Sequence, residues 1–214
     1  IDSAVLEHCA DADEVWHAGD IGTVDVTDQI KEVATLRAVY GNIDGTELRA
    51  EFPLHQRFIC EGVDVWITHI GGYPGRYSPA IRNEIRVNPP DLFICGHSHI
   101  LKVMRDKKLN LIHMNPGEIG KHGFHKSRTM LRFVLDQGRI DQLEVIEFKR
   151  WLKGFGDQAV VELEPGQVPE VIDDRRRAAR DIADGDQQHV DARVDQGEAD
   201  DHADEVLAAE HAPE

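Results

Sequence analysis

The chain has 214 residues, 41% of them hydrophobic, which is enough to bury the core of one ordinary domain. Its net charge of -16 is unevenly placed: residues 151–214 hold 18 acidic against 6 basic side chains, whereas residues 1–150 carry only -4. This distribution argues against coating duplex nucleic acid or binding an anionic membrane surface. Cys9, Cys60 and Cys95 have neither disulfide-framework nor zinc-knuckle spacing, so buried free thiols and a cytoplasmic location are expected. No apolar run is long enough to span a bilayer, and no secretory leader is expected.

In chain order, Val5, Leu6 and Cys9 recur at helical spacing, marking the end of an amphipathic helix before a turn at Asp11. Four short apolar runs follow, each ending in a polar group. Glu14 to Ala18 runs into Gly19-Asp20, and Leu36 to Tyr40 runs into Gly41-Asn42. Val63 to Thr68 ends at His69, and Leu92 to Cys95 runs into Gly96-His97-Ser98-His99. Helices are expected over Val24 to Val33 and Pro79 to Val87, so strands alternate with helices and an α/β fold with a largely parallel sheet is expected. Phe58 to Thr68 reads as a hairpin folded at Glu61-Gly62. Asn110 to Met114, Thr129 to Leu135 and Ile140 to Phe148 read as further strands, which call for a second sheet.

From Gly156 to Glu214 there is no Lys, Asn, Ser, Thr, Cys, Met or aromatic residue. Such a segment has too little apolar surface to offset its ordering entropy, so residues 151–214 are expected to form a disordered acidic tail, with at most a helix around Asp174 to Ala183. The domain is thus placed at residues 1–150. Either a genuine acidic tail or a frameshifted or fused origin accounts for the change of vocabulary.

In open α/β sheets ligands collect at the carboxyl ends of strands, and here each run delivers a metal-competent side chain to that end. The set is Asp20, Asn42, His69, His97 and His99. Carboxylate, carboxamide and imidazole together suit Mn, Fe, Zn or Ni better than Ca. Asp20 is the natural bridge between two ions, which would clamp a phosphoryl group and activate a water for in-line attack. Taken alone, Asp20 reads as a turn or helix N-cap residue before Val24, Asn42 could be only a turn residue, and His69 reads as an ordinary histidine. The Gly96-His97-Ser98-His99 segment points to metal by itself.

The ordered series Gly19-Asp20, Gly41-Asn42-Ile43-Asp44, Thr68-His69 and Gly96-His97-Ser98-His99, closed by Asn115-Pro116-Gly117, resembles the calcineurin-like metallophosphoesterases, in particular their small bacterial phosphodiesterase branch. The resemblance covers roughly residues 1–150. It implies a four-layer α/β/β/α sandwich of two packed mixed sheets and a dinuclear centre, with Mn the first choice of metal. It also implies that Asp20 bridges the ions, that Asn42, His69 and His97 complete one site, and that His99 serves the other. On this reading Asp20 and Asn42 act in catalysis through the metals, on a small phosphate-ester substrate, and a homo-oligomer is left open.

Two departures qualify the resemblance. The family's opening Asp-x-His motif has no counterpart before Asp20, which is expected to leave the first strand missing, strand edges exposed and the chain weakly active or inactive. Ile43 stands where many relatives place a leaving-group His, so substrates with good leaving groups are expected. Weaker candidates are Arg76 and His122 for the substrate and His125 for the pocket wall, while His17 reads as structural. The alternative from another functional class is a non-catalytic protein-interaction domain on the same fold with a degraded metal site.

Overall fold

The computed structural model describes residues 1–121, 127–149, 158–162, 171–173 and 206–211. The first helix, α1 (Ser3–Ala10), starts where the Asp2 side chain accepts from the Val5 amide at 3.3 Å. It is followed by β1 (Glu14–His17), α2 (Val24–Lys31), β2 (Thr35–Ala38) and α3 (Thr46–Glu51). Next come the hairpin β3 (His55–Cys60) and β4 (Val63–Thr68), the small hairpin β5 (Gly72–Tyr73) and β6 (Arg76–Tyr77), and α4 (Arg82–Val87). Strands β7 (Leu92–Cys95), β8 (Lys102–Asp106), β9 (Leu111–Asn115), β10 (Ser127–Asp136) and β11 (Arg139–Lys149) complete residues 1–149. Three further strands are β12 (Gln158–Glu162), β13 (Val171–Asp173) and β14 (Val206–His211).

Two six-stranded sheets result, ordered β12-β11-β10-β14-β1-β2 and β13-β8-β9-β7-β4-β3. Both are mixed rather than largely parallel: β1 and β2 run parallel, as do β4, β7 and β9, while the hairpin pairs are antiparallel. Side-chain alternation along the strands sorts the core into layers. Trp16, Leu131, Phe133, Val145 and Leu207 of the first sheet pack in one cluster with Val65, Ile67, Leu92, Ile94 and Met114 of the second. On the other face of the first sheet, Val15, Met130 and Ile146 meet Val5 and Cys9 of α1 and Ile30 of α2. On the outer face of the second, Trp66 and Phe93 meet Ile85 of α4. Helices therefore cover both outer faces of two packed sheets.

The described residues after 150 are the three strands β12, β13 and β14. β14 lies in the middle of the first sheet, antiparallel to β1 with Trp16 opposite Leu207, and parallel to β10 with Leu131 opposite Leu207. The open edge expected beside β1 is therefore filled. A gap between β1 and β10 would leave two rows of unpaired amides and carbonyls inside the sheet, and even the alanine-rich Val206–His211 run satisfies them. β12 and β13 extend the outer edges by pairing with β11 and β8. The helix expected around Asp174 to Ala183 lies outside the described residues. Among those described, no helix is long and apolar enough to cross a membrane.

Candidate metal centre

The carboxyl ends of β1, β2, β4 and β7 meet at one rim. Asp20 follows β1 through Gly19, which has a φ of 97° and where a Cβ would sit 2.5 Å from His69 Nδ1, so the turn into the site requires glycine. Asp20, His97 and His99 themselves hold left-handed backbone, with φ of 56°, 67° and 54°. Non-glycine residues rarely adopt that region, and its concentration at one site marks a geometry the surrounding structure imposes.

Asp20, His69 and His97 each offer a donor atom, all within 4.8 Å of one another. Asn42 closes the group, with Oδ1 at 2.9 Å from His69 Nε2 and 2.8 Å from His97 Nδ1. His69 Nε2 is also 3.2 Å from Asp20 Oδ1. The opposite nitrogen, His69 Nδ1, lies 2.8 Å from the Ala18 carbonyl, which can only accept, so the proton belongs on Nδ1. Nε2 then presents a lone pair to two oxygens that also present lone pairs. Separations near 3 Å between such atoms are those of ligands sharing a cation through bonds of about 2.0–2.2 Å. The donor set therefore fits a transition-metal ion, and backbone contact fixes the tautomer as it does for metal-bound histidines generally.

Asp20 reaches both ways. Its Oδ1 faces His69 and accepts from the Ile43 amide at 3.2 Å, while Oδ2 is 3.8 Å from His99 Nε2. Burial alone would raise the Asp20 pKa, but the neighbouring His69 and His99 rings and the hydrogen bond from the Ile43 amide hold the carboxyl well below the usual range. Burial, reinforced by the neighbouring His69, lowers the His97 pKa and favours the neutral ligand form. On its far side the His99 ring places Nδ1 3.9 Å from Oε2 of the buried Glu118.

Several further residues position the site. Asp44 is buried and accepts from the Gly22 amide at 2.9 Å and the Gly41 amide at 2.6 Å. Arg49 of α3 donates to the carbonyls of Gly41 at 3.1 Å, Asn42 at 2.9 Å and Asp44 at 2.5 Å. Asn115 ties the histidine loop to the Asn115-Pro116-Gly117 turn, donating to Gly96 O and Ser98 Oγ and accepting from the Gly117 amide. Asp44 and Asn115 stand inside recognisable motifs, so a buried polar role is readable for them. Arg49 and Glu118 become visible only through their contacts.

Of the weaker sequence candidates, His17 is fully buried and its Nδ1 accepts from the Gly19 amide at 3.2 Å, holding the turn that carries Asp20. Burial, partly opposed by the charges of Asp44 and Asp20, keeps its pKa low. Arg76 is not brought to the cluster; it lines a separate cavity behind the β5-β6 hairpin. His122 and His125 lie outside the described residues.

The family model for the Calcineurin-like phosphoesterase superfamily domain matches residues 1–138. A probable metallophosphoesterase of Methanothermobacter thermautotrophicus is 28% identical over 119 residues, which is 55% of this chain and 66% of that relative, just under two thirds of its length. Among solved structures, Vps29 of Entamoeba histolytica complexed with zinc superposes with a TM-score of 0.53 at 15% identity, covering 76% of this chain and 89% of that one. A single mutant of the same protein gives 0.53 at 14% identity, with 77% and 91% covered. At such identities these structures speak to the fold alone, and the fold they share is the mixed α/β arrangement described above.

Proposed function

Since this chain belongs to the calcineurin-like phosphoesterase superfamily, we propose that it is a metal-dependent phosphodiesterase with a dinuclear centre, Mn being the first choice of metal and Fe, Zn or Ni the alternatives. The observation that carries the reading is the divided aim of Asp20: one oxygen toward the Asn42, His69 and His97 group, the other toward His99. When bound, a pair of divalent cations supplies Lewis acidity and an ionised water for in-line attack on phosphorus. The chain's own residues hold the reacting groups. Asp20 contributes fixed negative charge between the two halves, and His69, with its proton committed to Ala18, offers Nε2 as a donor. Asn42 contributes a neutral oxygen and can turn its amide toward a phosphoryl oxygen.

Ile43 is 37% exposed at this rim and has no proton to give a leaving group, so aryl and other activated diesters are the preferred class. The test is hydrolysis of bis(p-nitrophenyl) phosphate by the 214-residue chain with and without added Mn. Slow, metal-dependent turnover that disappears in His69→Ala and falls at least about a hundredfold in Asn42→Ala supports the proposal. Equal rates with and without metal, or unchanged rates in both variants, would refute it.

One observation favours a second reading, a non-catalytic interaction domain. Asp20 stands 3.8 Å from His99 Nε2 but 3.2 Å from His69 Nε2, so the His99 side is the looser of the two. Calorimetry separates the two readings: a chain that binds Mn tightly yet turns over no phosphodiester with Mn, Fe, Zn or Ni belongs to the second.

A further inference from the structure

Arg76 points to a site that phosphoesterase chemistry does not use. With Arg82, Arg86 and Lys108 it lines a cavity of about 550 Å³. Ser78 and Pro79 belong to the walls of both this cavity and the hollow lined by His97, so the two lie back to back across that segment. No residue of the metal-competent cluster lines the cationic one.

The charge balance of the cavity is unusual. Its one acidic wall residue is Asp106, whose oxygens are already engaged: Oδ2 accepts from the Tyr77 hydroxyl at 2.9 Å, and Oδ1 from the amides of Lys108 at 2.8 Å and Leu109 at 3.2 Å. Among the described residues, none of the four cations makes an ion pair, and Arg82 Nε only reaches the Tyr77 carbonyl at 3.3 Å. Four like charges around one concavity repel one another and focus a positive potential into it. The volume is that of a small-molecule site. Guanidinium groups grip phosphate and carboxylate oxyanions through paired hydrogen bonds, which an isolated chloride cannot satisfy.

We propose that this cavity is a second ligand site, taking a small phosphate-type polyanion of diphosphate or triphosphate size, independently of the metal centre. Three guanidinium groups and an ammonium call for at least three anionic oxygens, and this is why a linked phosphate is favoured over a monovalent anion. The ligand stands one wall away from His97, so its binding need not compete with a phosphate ester at the metal rim.

The experiment is titration calorimetry of inorganic pyrophosphate and triphosphate into the full chain in EDTA, with circular dichroism melts to verify folding. Binding is expected without metal, stronger for triphosphate, and weaker as salt rises. It should fall about tenfold or more in Arg82→Ala and again in the Arg82→Ala/Arg86→Ala double variant, because each loses charged hydrogen bonds. Both arginines are exposed, so both variants should melt like the parent. Arg86→Gln, which keeps the stem and removes the charge, guards against a packing effect and should also weaken binding. His97→Ala should leave binding unchanged. No binding in EDTA, binding indifferent to the arginine substitutions, or loss in His97→Ala would overturn the proposal. Displacement of triphosphate by an acidic peptide at lower concentration than by pyrophosphate would overturn the choice of ligand.

Discussion

The two sheets contribute to the same rim but are assembled differently. In the second sheet, β3, β4, β7, β8 and β9 all come from residues 55–115 and deliver His69, His97 and His99. In the first sheet, β1 and β2 deliver Asp20 and Asn42, yet between β1 and β10 sits β14, with Glu14 to His17 paired to Val206 to Ala209. Closing so long a loop costs chain entropy that grows only slowly with length, and the central backbone pairing offsets it. The histidine half of the site thus rests on local pairing, while the Asp20 half depends on one distant strand.

The most damaging way to test that contrast is at Leu207, which is fully buried between the sheets. An aspartate there would place an unpaired charge in the core, and we expect Leu207→Asp to cost at least about 4 kcal/mol. Amide exchange should then rise first in β1 and β10 and later in β4 and β7. Equal acceleration in both sheets would mean that β14 supports the whole molecule rather than the Asp20 half; unchanged protection in β1 would remove β14 from the sheet.

The same strand shows where the sequence ceases to be readable. β1, β4 and β7 are short apolar runs ending in chemically distinctive residues, and burial on both faces leaves few other readings for them. Val206–His211 is Ala-rich and follows a stretch of acidic residues; what makes it a strand is the slot between β1 and β10. Lys102–Asp106 and Thr46–Glu51 escape a sequence reading for a related reason, since each is short and carries few apolar residues. At the site, the five metal-competent side chains are legible because each stands at the end of an apolar run. Glu118 and Arg49 are not, because a carboxylate or a guanidinium acquires a role only from what the fold sets beside it.

Each sheet also buries one neutral histidine, His17 in β1 and His113 in β9. Burial, partly offset by the hydrogen bond to the Gly72 carbonyl, lowers the His113 pKa to about 4. Between its ordinary value and that lowered one, the unfolded chain binds the proton more readily. The stability tied to His113 is therefore complete above about pH 6.5 and is lost as pH falls to about 4, a span worth about 3 kcal/mol. His113→Gln keeps a donor for Gly72 and removes the titration, so the slope of unfolding free energy across that range should flatten. A slope as steep as the parent's would assign the acid sensitivity elsewhere, with His17 the next candidate.

A metal that joins Asp20 of one sheet to His69 and His97 of the other should tie the two together. At a hundred times its dissociation constant, Mn should stabilise the fold by about 2.7 kcal/mol. The gain should appear in thermal melts of the parent and vanish in Asp20→Asn, which keeps the shape of the side chain and removes its charge. Equal stabilisation of that variant would place the ion away from Asp20.

The finest distinction concerns how each half holds its ligand in place. Asn42 is exposed, and its loop is gripped from behind by Arg49, whose guanidinium serves three carbonyls and stacks over Tyr40 with its carbon 4.7 Å from the ring centre. Arg49→Ala should therefore loosen Asn42 without touching the metal, weakening Mn affinity about tenfold, or about 1.4 kcal/mol. Lys at the same position supplies charge but no planar fork, and it should recover little of the loss. On the other half of the site, His99 Nδ1 lies 3.9 Å from Glu118 Oε2, and Asn115 donates to Ser98 Oγ. If Arg49→Lys restored the affinity in full, charge rather than loop geometry would be what Arg49 contributes, and the two halves would differ in electrostatics instead of preorganisation.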